Sequence, residues 1–310
     1  VAIALPGVWN GYRKDKDKLG NKVGLPYLIP QLEAFAHGGR EFNFAFDHDI
    51  KPTTVQSVRK AIIETGNLLV QKGCQVNVIQ WTYPEKGVDD LLRARGEICF
   101  ADIYKKRQSL EAFKLSELLD ITPYVNKTVN QRYLDIEIPK TSNLIAIRSP
   151  KGTGKTQLLS KITAEAINKG QPVLVIGHRI KLMTELAQRF GVNYRTEALT
   201  DPLGTLLGYA LCIDSLHADA APPFDPNAWE NAIIIIDECE QVLWHLLNSS
   251  TCHHKRVSIL ENLKNLLQVS LATGGKLYIS DADLSPISLN YFTKLVNFPL
   301  NLWVVNNNHN

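Results

Sequence analysis

Apolar positions along the chain alternate between short strand-like runs and longer stretches with helical spacing. Ile233-Ile-Ile-Ile236 is uninterrupted, the pattern of a strand covered on both faces of a parallel sheet. Residues 144–148, 172–176, 211–214, 276–280 and 302–305 read as further strands. Helices are expected from the glycine-rich loop after Arg148 to Lys169 and over 178–190, 257–271 and 286–296. The first part of the chain follows the same rhythm. Residues 1–5 read as a strand, 25–36 as a helix with Leu28, Leu32 and Phe35 on one face, and 41–46 as a strand. A helix over 53–72 opens on a Thr cap, carries Val55, Val58, Ile62 and Leu69, and ends at Gly73. Residues 75–81 are expected as a strand, 91–94 as a short helix and 105–119 as a charged helix. Strand–helix–strand spacing of this kind predicts parallel pairing through right-handed crossovers.

Two stretches break the rhythm. Residues 10–24 are polar and glycine-punctuated, with Arg13, Lys14, Lys16, Lys18 and Lys22 among Asp15 and Asp17, which predicts an exposed loop. Between 120 and 142 the periodicity fades except for a brief strand at 133–138. The division is therefore a domain over 1–119, a linker over 120–142 and a second domain over 143–310, both α/β with parallel central sheets.

Charge and cysteine content narrow the class. The formal net charge is only +3, from 34 basic and 31 acidic residues in 310, so overall charge does not announce a nucleic-acid partner. No apolar run reaches the ~20 residues of a membrane span. Five widely spaced cysteines without a C-x-x-C pair point to reduced thiols and a cytoplasmic location. Cys252-His253-His254 has no second ligand pair at finger spacing and reads as a turn. The chain opens at Val1, inside an expected strand, and its single methionine is Met183; both suggest a piece of a longer protein.

The strongest chemical signal is Ser149-Pro150-Lys151-Gly152-Thr153-Gly154-Lys155-Thr156, placed between an expected strand and an expected helix. Glycines let successive N–H groups turn inward on phosphate oxygens, and a helix N-terminus adds its positive end. Lys155 can reach the β- and γ-phosphates, and the Thr156 hydroxyl can ligate Mg²⁺. Ser149 stands where the general pattern has its first glycine. Asp237-Glu238 follows the apolar run 233–236. There Asp237 would sit beside the loop and hold the Mg²⁺ shell, while Glu238 orients an attacking water. Lys155, Asp237 and Glu238 are thus the candidate catalytic residues, and ATP with Mg²⁺ the expected ligands. Glu240 and Cys239 carry no role beyond starting a helix.

With Ser280-Asp-Ala-Asp-Leu284, these segments resemble motifs I, II and III of superfamily-2 helicases. His178-Arg179 and Cys212-Ile-Asp-Ser-Leu-His217 resemble the herpesvirus origin-binding helicases, and more so the cyanobacterial plasmid replication proteins that share that module. The resemblance implies a RecA-like P-loop domain, contact of His178 and Arg179 with the nucleic acid backbone, and coupling of hydrolysis to strand movement through Asp281 to Asp283. Ser-Asp-Ala-Asp departs from the usual Ser-Ala-Thr of motif III. The family also implies a second RecA-like domain with arginines, a contribution of roughly 10³–10⁵ in rate. Without it, the chain is expected to bind nucleotide weakly and hydrolyse it poorly.

Asp47 and Asp49 place two carboxylates at a strand end, a pair suited to Mg²⁺. This D-x-D, with Leu5-Pro-Gly-Val-Trp-Asn-Gly11 and Lys86-Gly-Val-Asp-Asp90, resembles the Toprim-like domain of the same replication proteins. It implies a metal site at Asp47 and Asp49, completed by a glutamate on a preceding strand. Asp89 and Asp90 are weaker candidates. The reading is a plasmid DNA replication protein and ATP-dependent helicase with single-stranded or origin DNA, and other replication proteins, as partners. Two alternatives stay open: a nucleic-acid-binding module with a degenerate catalytic site, and a P-loop ATPase acting on a protein partner.

Overall fold

The longest apolar runs build one sheet. The computed structural model describes residues 2–5, 7, 9–49 and 51–309, which divide into two units, 1–118 and 119–310. Together they are mixed α/β, and the second unit holds a large, mostly parallel central sheet.

In the first unit, β1 (Tyr12–Lys16) and β2 (Lys22–Leu28) form an antiparallel hairpin, followed by the short helix α1 (Pro30–Glu33). β3 (Glu41–Phe44) pairs in parallel with β4 (Gln75–Val78) across α2 (Pro52–Gln71). Then come α3 (Val88–Lys105), β5 (Gln108–Ser109) and α4 (Leu110–Leu119). α2 stops where Gly73 takes a φ of 79°, the left-handed conformation that ends helices at low steric cost. Leu32, Phe44, Ile62, Leu69, Val76 and Phe113 form the core between sheet and helices.

Several expectations need correction. The stretch 10–24 is the hairpin, not a loop. Asp17 Oδ1 accepts from the amides of Leu19 (2.9 Å) and Asn21 (2.8 Å) and so folds the turn. The helix expected over 25–36 shrinks to α1, because Pro26 falls in β2 and only Pro30 suits a helix start. Residues 2–5 belong to no strand; Val1, Pro6 and Val8 lie outside the described residues. The short helix 91–94 is part of α3, which kinks at Gly96 (φ 78°), and the helix expected over 105–119 divides into the end of α3, β5 and α4. The small sheet is not all parallel: β5 runs antiparallel to β4.

The second unit contains β6 (Lys127–Val129), β7 (Leu144–Arg148), α5 (Lys155–Asn168), β8 (Val173–Gly177), α6 (Ile180–Phe190), β9 (Asn193–Tyr194), β10 (Leu199–Thr200) and β11 (Leu206–Cys212). β12 (Ile233–Asp237), α7 (Cys239–Asn248), α8 (Arg256–Ala272), β13 (Lys276–Asp281), α9 (Pro286–Leu295) and β14 (Leu302–Asn307) complete it. Among the described residues the strand order is β10-β11-β8-β12-β13-β7-β14-β6, with β9 on β11; only β10 is antiparallel. Alternate residues of each strand face opposite layers. Ile145, Ile147, Val173 and Val175 pack under α5 and α6. Leu144, Ala146, Leu174 and Ile176 pack under α7, α8 and α9. Residues 120–142 are not a free linker: β6 extends the sheet beside β14, and Leu134 and Ile136 are buried against it. No strand forms at 133–138.

Gly208 (φ 152°) sits opposite Val173, and a Cβ there would overlap the Val173 carbonyl oxygen. Gly208→Ala is therefore expected to cost roughly 1–3 kcal/mol of stability by forcing β11 away from β8, read as a lower urea midpoint with an unchanged slope. A wild-type midpoint would refute it. Among the described residues no helix is long and apolar enough to cross a membrane.

Candidate functional site

The parallel strands of the second unit all end at one edge of the sheet, where α/β folds bind ligands. β7 ends at Arg148 and its chain turns through 149–154 into α5. Gly152 and Gly154 have φ of 78° and 79°. A Cβ on Gly154 would also lie 3.3 Å from the Leu134 amide nitrogen, so glycine is required there by both strain and space. α5 begins without a side-chain cap, leaving its first N–H groups open to an anion.

Ser149 is fully buried and explains its own departure from glycine. Its hydroxyl lies 2.6 Å from Thr153 Oγ1 and accepts from Asn307 Nδ2 at 2.9 Å. Thr153 Oγ1 donates to the Pro150 carbonyl (2.6 Å), and Asn307 Nδ2 also reaches the Gln131 carbonyl (2.8 Å). Asn307 thus ties the loop to β14 and to the 131–134 segment. Sequence reasoning missed it; the signal was a polar residue closing an apolar strand.

Lys155 curls over the loop, donating to the carbonyls of Ser149 (2.6 Å) and Pro150 (2.9 Å). Burial lowers its pKa, against the opposing pull of Asp237, Asp281 and Glu238. Asp237 does not lie on the neighbouring strand: β13 separates β12 from β7, and contributes Ser280 and Asp281 between them. The order is set by the long crossovers, which local patterning does not reveal. Ser280 Oγ donates to Asp237 Oδ1, which also accepts from the Glu238 amide at 3.1 Å. Desolvation pushes the Asp237 carboxyl above the usual carboxylate range, with Ser280 and Lys155 opposing.

Among the described residues neither Thr156 Oγ1 nor Asp237 Oδ2 has a protein hydrogen-bond partner, and both are hard oxygen ligands of the kind Mg²⁺ takes alongside phosphate and water. Glu238 has φ 53° and ψ 50°, a left-handed backbone that costs a non-glycine residue of order 1 kcal/mol or more and is concentrated at functional sites. Its carboxylate has no protein hydrogen bond among the described residues. Glu240 differs: its carboxylate accepts from the Ser285 amide (2.8 Å) and Ser288 Oγ (2.6 Å), while its own amide donates to Asp281 Oδ2 (3.0 Å). Glu240 therefore fixes the start of α9, a role missed in the sequence. Cys239 is fully buried, and desolvation raises its thiol pKa.

His178 and Arg179 part company. Arg179 is exposed, whereas His178 is buried beside His245 (ring centroids 6.2 Å apart) with Nδ1 unpartnered. Burial, then Arg179 and His245, lower the His178 pKa and favour the neutral ring. Asp214, from the segment after β11, lies 4.0 Å from His245.

In the first unit Asp47 and Asp49 lie in the loop after β3, Asp47 exposed and Asp49 half-buried. Asp49 Oδ1 accepts from the Lys51 amide at 2.9 Å, and the His48 amide donates to the Lys86 carbonyl at 2.7 Å. That bond brings the 86–90 segment onto the loop, so that Asp47 and Asp89 flank Gly87. Two cavities of about 460 and 500 Å³ meet here, sharing Phe46, Asp47, Asp49 and Val58. Among the described residues no three His, Cys, Asp or Glu side chains are grouped to hold a metal ion.

Comparison with known proteins adds three findings. Residues 1–99 match the family described as "Domain of unknown function (DUF3854)". An uncharacterized protein of Picosynechococcus sp. (strain ATCC 27264 / PCC 7002 / PR-6) is 48% identical over 291 residues, 93% of this chain and 29% of its own length. A protein of Acanthamoeba polyphaga mimivirus named "Putative replication origin-binding protein" is 30% identical over 173 residues, 53% of this chain and 20% of its own. The chain thus spans less than a third of either relative.

Proposed function

We propose that this chain is part of a DNA replication protein and that its second unit is a RecA-like P-loop domain that binds ATP and drives helicase action. The observation that carries the reading is the glycine-turned loop at the open N-terminus of α5, with the Lys155 ammonium folded back on the loop's own Ser149 and Pro150 carbonyls. The distant likeness to the mimivirus protein supports replication, with origin DNA as partner.

In this reading the amides of 151–156 cradle the β- and γ-phosphates. Lys155 leaves the Ser149 and Pro150 carbonyls to pair with phosphate oxygens. Glu238 orients the attacking water and takes its proton on the free carboxylate. Mg²⁺, held by Thr156 and Asp237, would neutralise charge on the phosphates. The Asp47–Asp49 loop belongs to a Toprim-like, metal-binding first domain; its support is the pair of carboxylates, with Asp89 opposite.

Ligand-linked stability tests the nucleotide site. MgATP at 100 times its dissociation constant is expected to stabilise the chain by about 2.7 kcal/mol, and Lys155→Ala to remove that gain. A wild-type melting temperature indifferent to MgATP would overturn the assignment. In the full protein, turnover that ignores single-stranded DNA would favour an ATPase acting on protein.

A further inference from the structure

The hairpin β1–β2 stands outside both sites. Between Tyr12 and Leu28 it carries Arg13, Lys14, Lys16, Lys18 and Lys22 against Asp15 and Asp17. This excess of three equals the formal net charge of the whole chain. The other 29 basic and 29 acidic residues balance, so the ribbon is a local basic excess on an otherwise balanced chain.

Both carboxylates are used within the ribbon. Asp17 folds the turn through Leu19 and Asn21, and Asp15 Oδ1 accepts from Tyr27 Oη at 3.1 Å. Among the described residues none of the five cations forms an ion pair. The register sets Lys16 directly opposite Lys22, and like charges facing across a ladder are destabilising. The register shifts between Arg13 and Asp15, so Lys14 lies at the irregularity of the ladder, two residues before the Lys16–Lys22 pair. Lys14, Lys16 and Lys22 are all exposed. Such a cluster lowers its energy by meeting an anion. A two-stranded ribbon is also one of the few elements the major groove of a DNA duplex admits.

We propose that the β1–β2 hairpin is a docking surface for duplex DNA, with Lys14, Lys16 and Lys22 on the phosphate backbone. Charge complementarity selects the occupant: repeated phosphates relieve the Lys16–Lys22 opposition and release counterions. The proposal shares its partner class with the function proposed above but does not use the nucleotide site.

Fluorescence anisotropy of the chain with a labelled 20-base-pair duplex, across a salt series, tests it. A Lys14→Gln, Lys16→Gln, Lys22→Gln variant is expected to bind at least tenfold more weakly near 0.1 M salt. Its log–log salt slope should shrink by about 2.7, three contacts at roughly 0.9 each. The corresponding triple Lys→Arg variant should bind like the wild type, which separates lost charge from a misfolded hairpin. The triple Lys→Gln variant should keep the wild-type MgATP response, so the two readings can fail separately. Unchanged duplex affinity and slope in the triple Lys→Gln variant would overturn the proposal. So would a wild-type chain that fails to bind the duplex, or one that prefers phosphatidylserine vesicles to DNA at equal anion concentration.

Discussion

Glu238→Gln in the full protein is expected to lower ATP turnover by about 10²–10⁴-fold while MgATP still binds. The substitution keeps the side chain's size and the left-handed backbone at this position (φ 53°), so any strain is common to both proteins and cancels. What changes is the carboxylate, which has no protein hydrogen bond among the described residues and is therefore free to accept a proton. Asp237 could not serve in its place: it is buried, and its Oδ1 is taken by Ser280 and the Glu238 amide. Glu240 is engaged with Ser285 and Ser288. Turnover and nucleotide retained after gel filtration, measured side by side, distinguish the outcomes. A Glu238→Gln protein that hydrolyses ATP at the wild-type rate would remove Glu238 from the chemistry, and one that no longer binds MgATP would make it a binding residue.

The contrast between Glu238 and Glu240 also marks how far the sequence could be read. Segments covered by helices on both sides declared themselves: β7 and β12 coincide with their apolar runs within a residue, because nearly every position in them is buried. The turn through 149–154 was legible for a related reason, since Gly152 and Gly154 take positive φ there. The hairpin was not, because β1 is almost wholly polar and exposed, and the alternation of Val23, Leu25 and Tyr27 in β2 is interleaved with Gly24 and Pro26, which read as loop. Its turn is folded by the Asp17 side chain, a local device that polar composition disguises as a loop. The one-strand gap between Asp237 and the loop was hidden differently. Strand order depends on crossovers spanning scores of residues, and β13 enters between β7 and β12 long after both in sequence. The same non-local closure brings Asn307 to Ser149, across 158 residues.

Trp229→Ala should be strongly destabilising to the second unit, costing about 3–5 kcal/mol. Trp229 is wholly buried in the short turn before β12, edge-on to Tyr209 (5.0 Å, 85°) and stacked on Phe224 (6.4 Å, 16°). Truncation leaves a cavity under α8 and strands two aromatic partners, each pair being worth roughly 0.5–1.5 kcal/mol beyond area. At about 2–4 °C per kcal/mol for a unit of this size, the melting temperature should fall by roughly 6–20 °C. Trp229→Phe keeps most of the volume and should cost less than half as much. The turn holds the entry to β12, yet Asp237 lies at the far end of that strand, pinned by Ser280 rather than by the Trp229 cluster. Well below the lowered midpoint, the folded Trp229→Ala protein should therefore bind MgATP with wild-type affinity. A loss of affinity without loss of stability would mean that the cluster sets the position of Asp237, and that the strand moves as a lever between them.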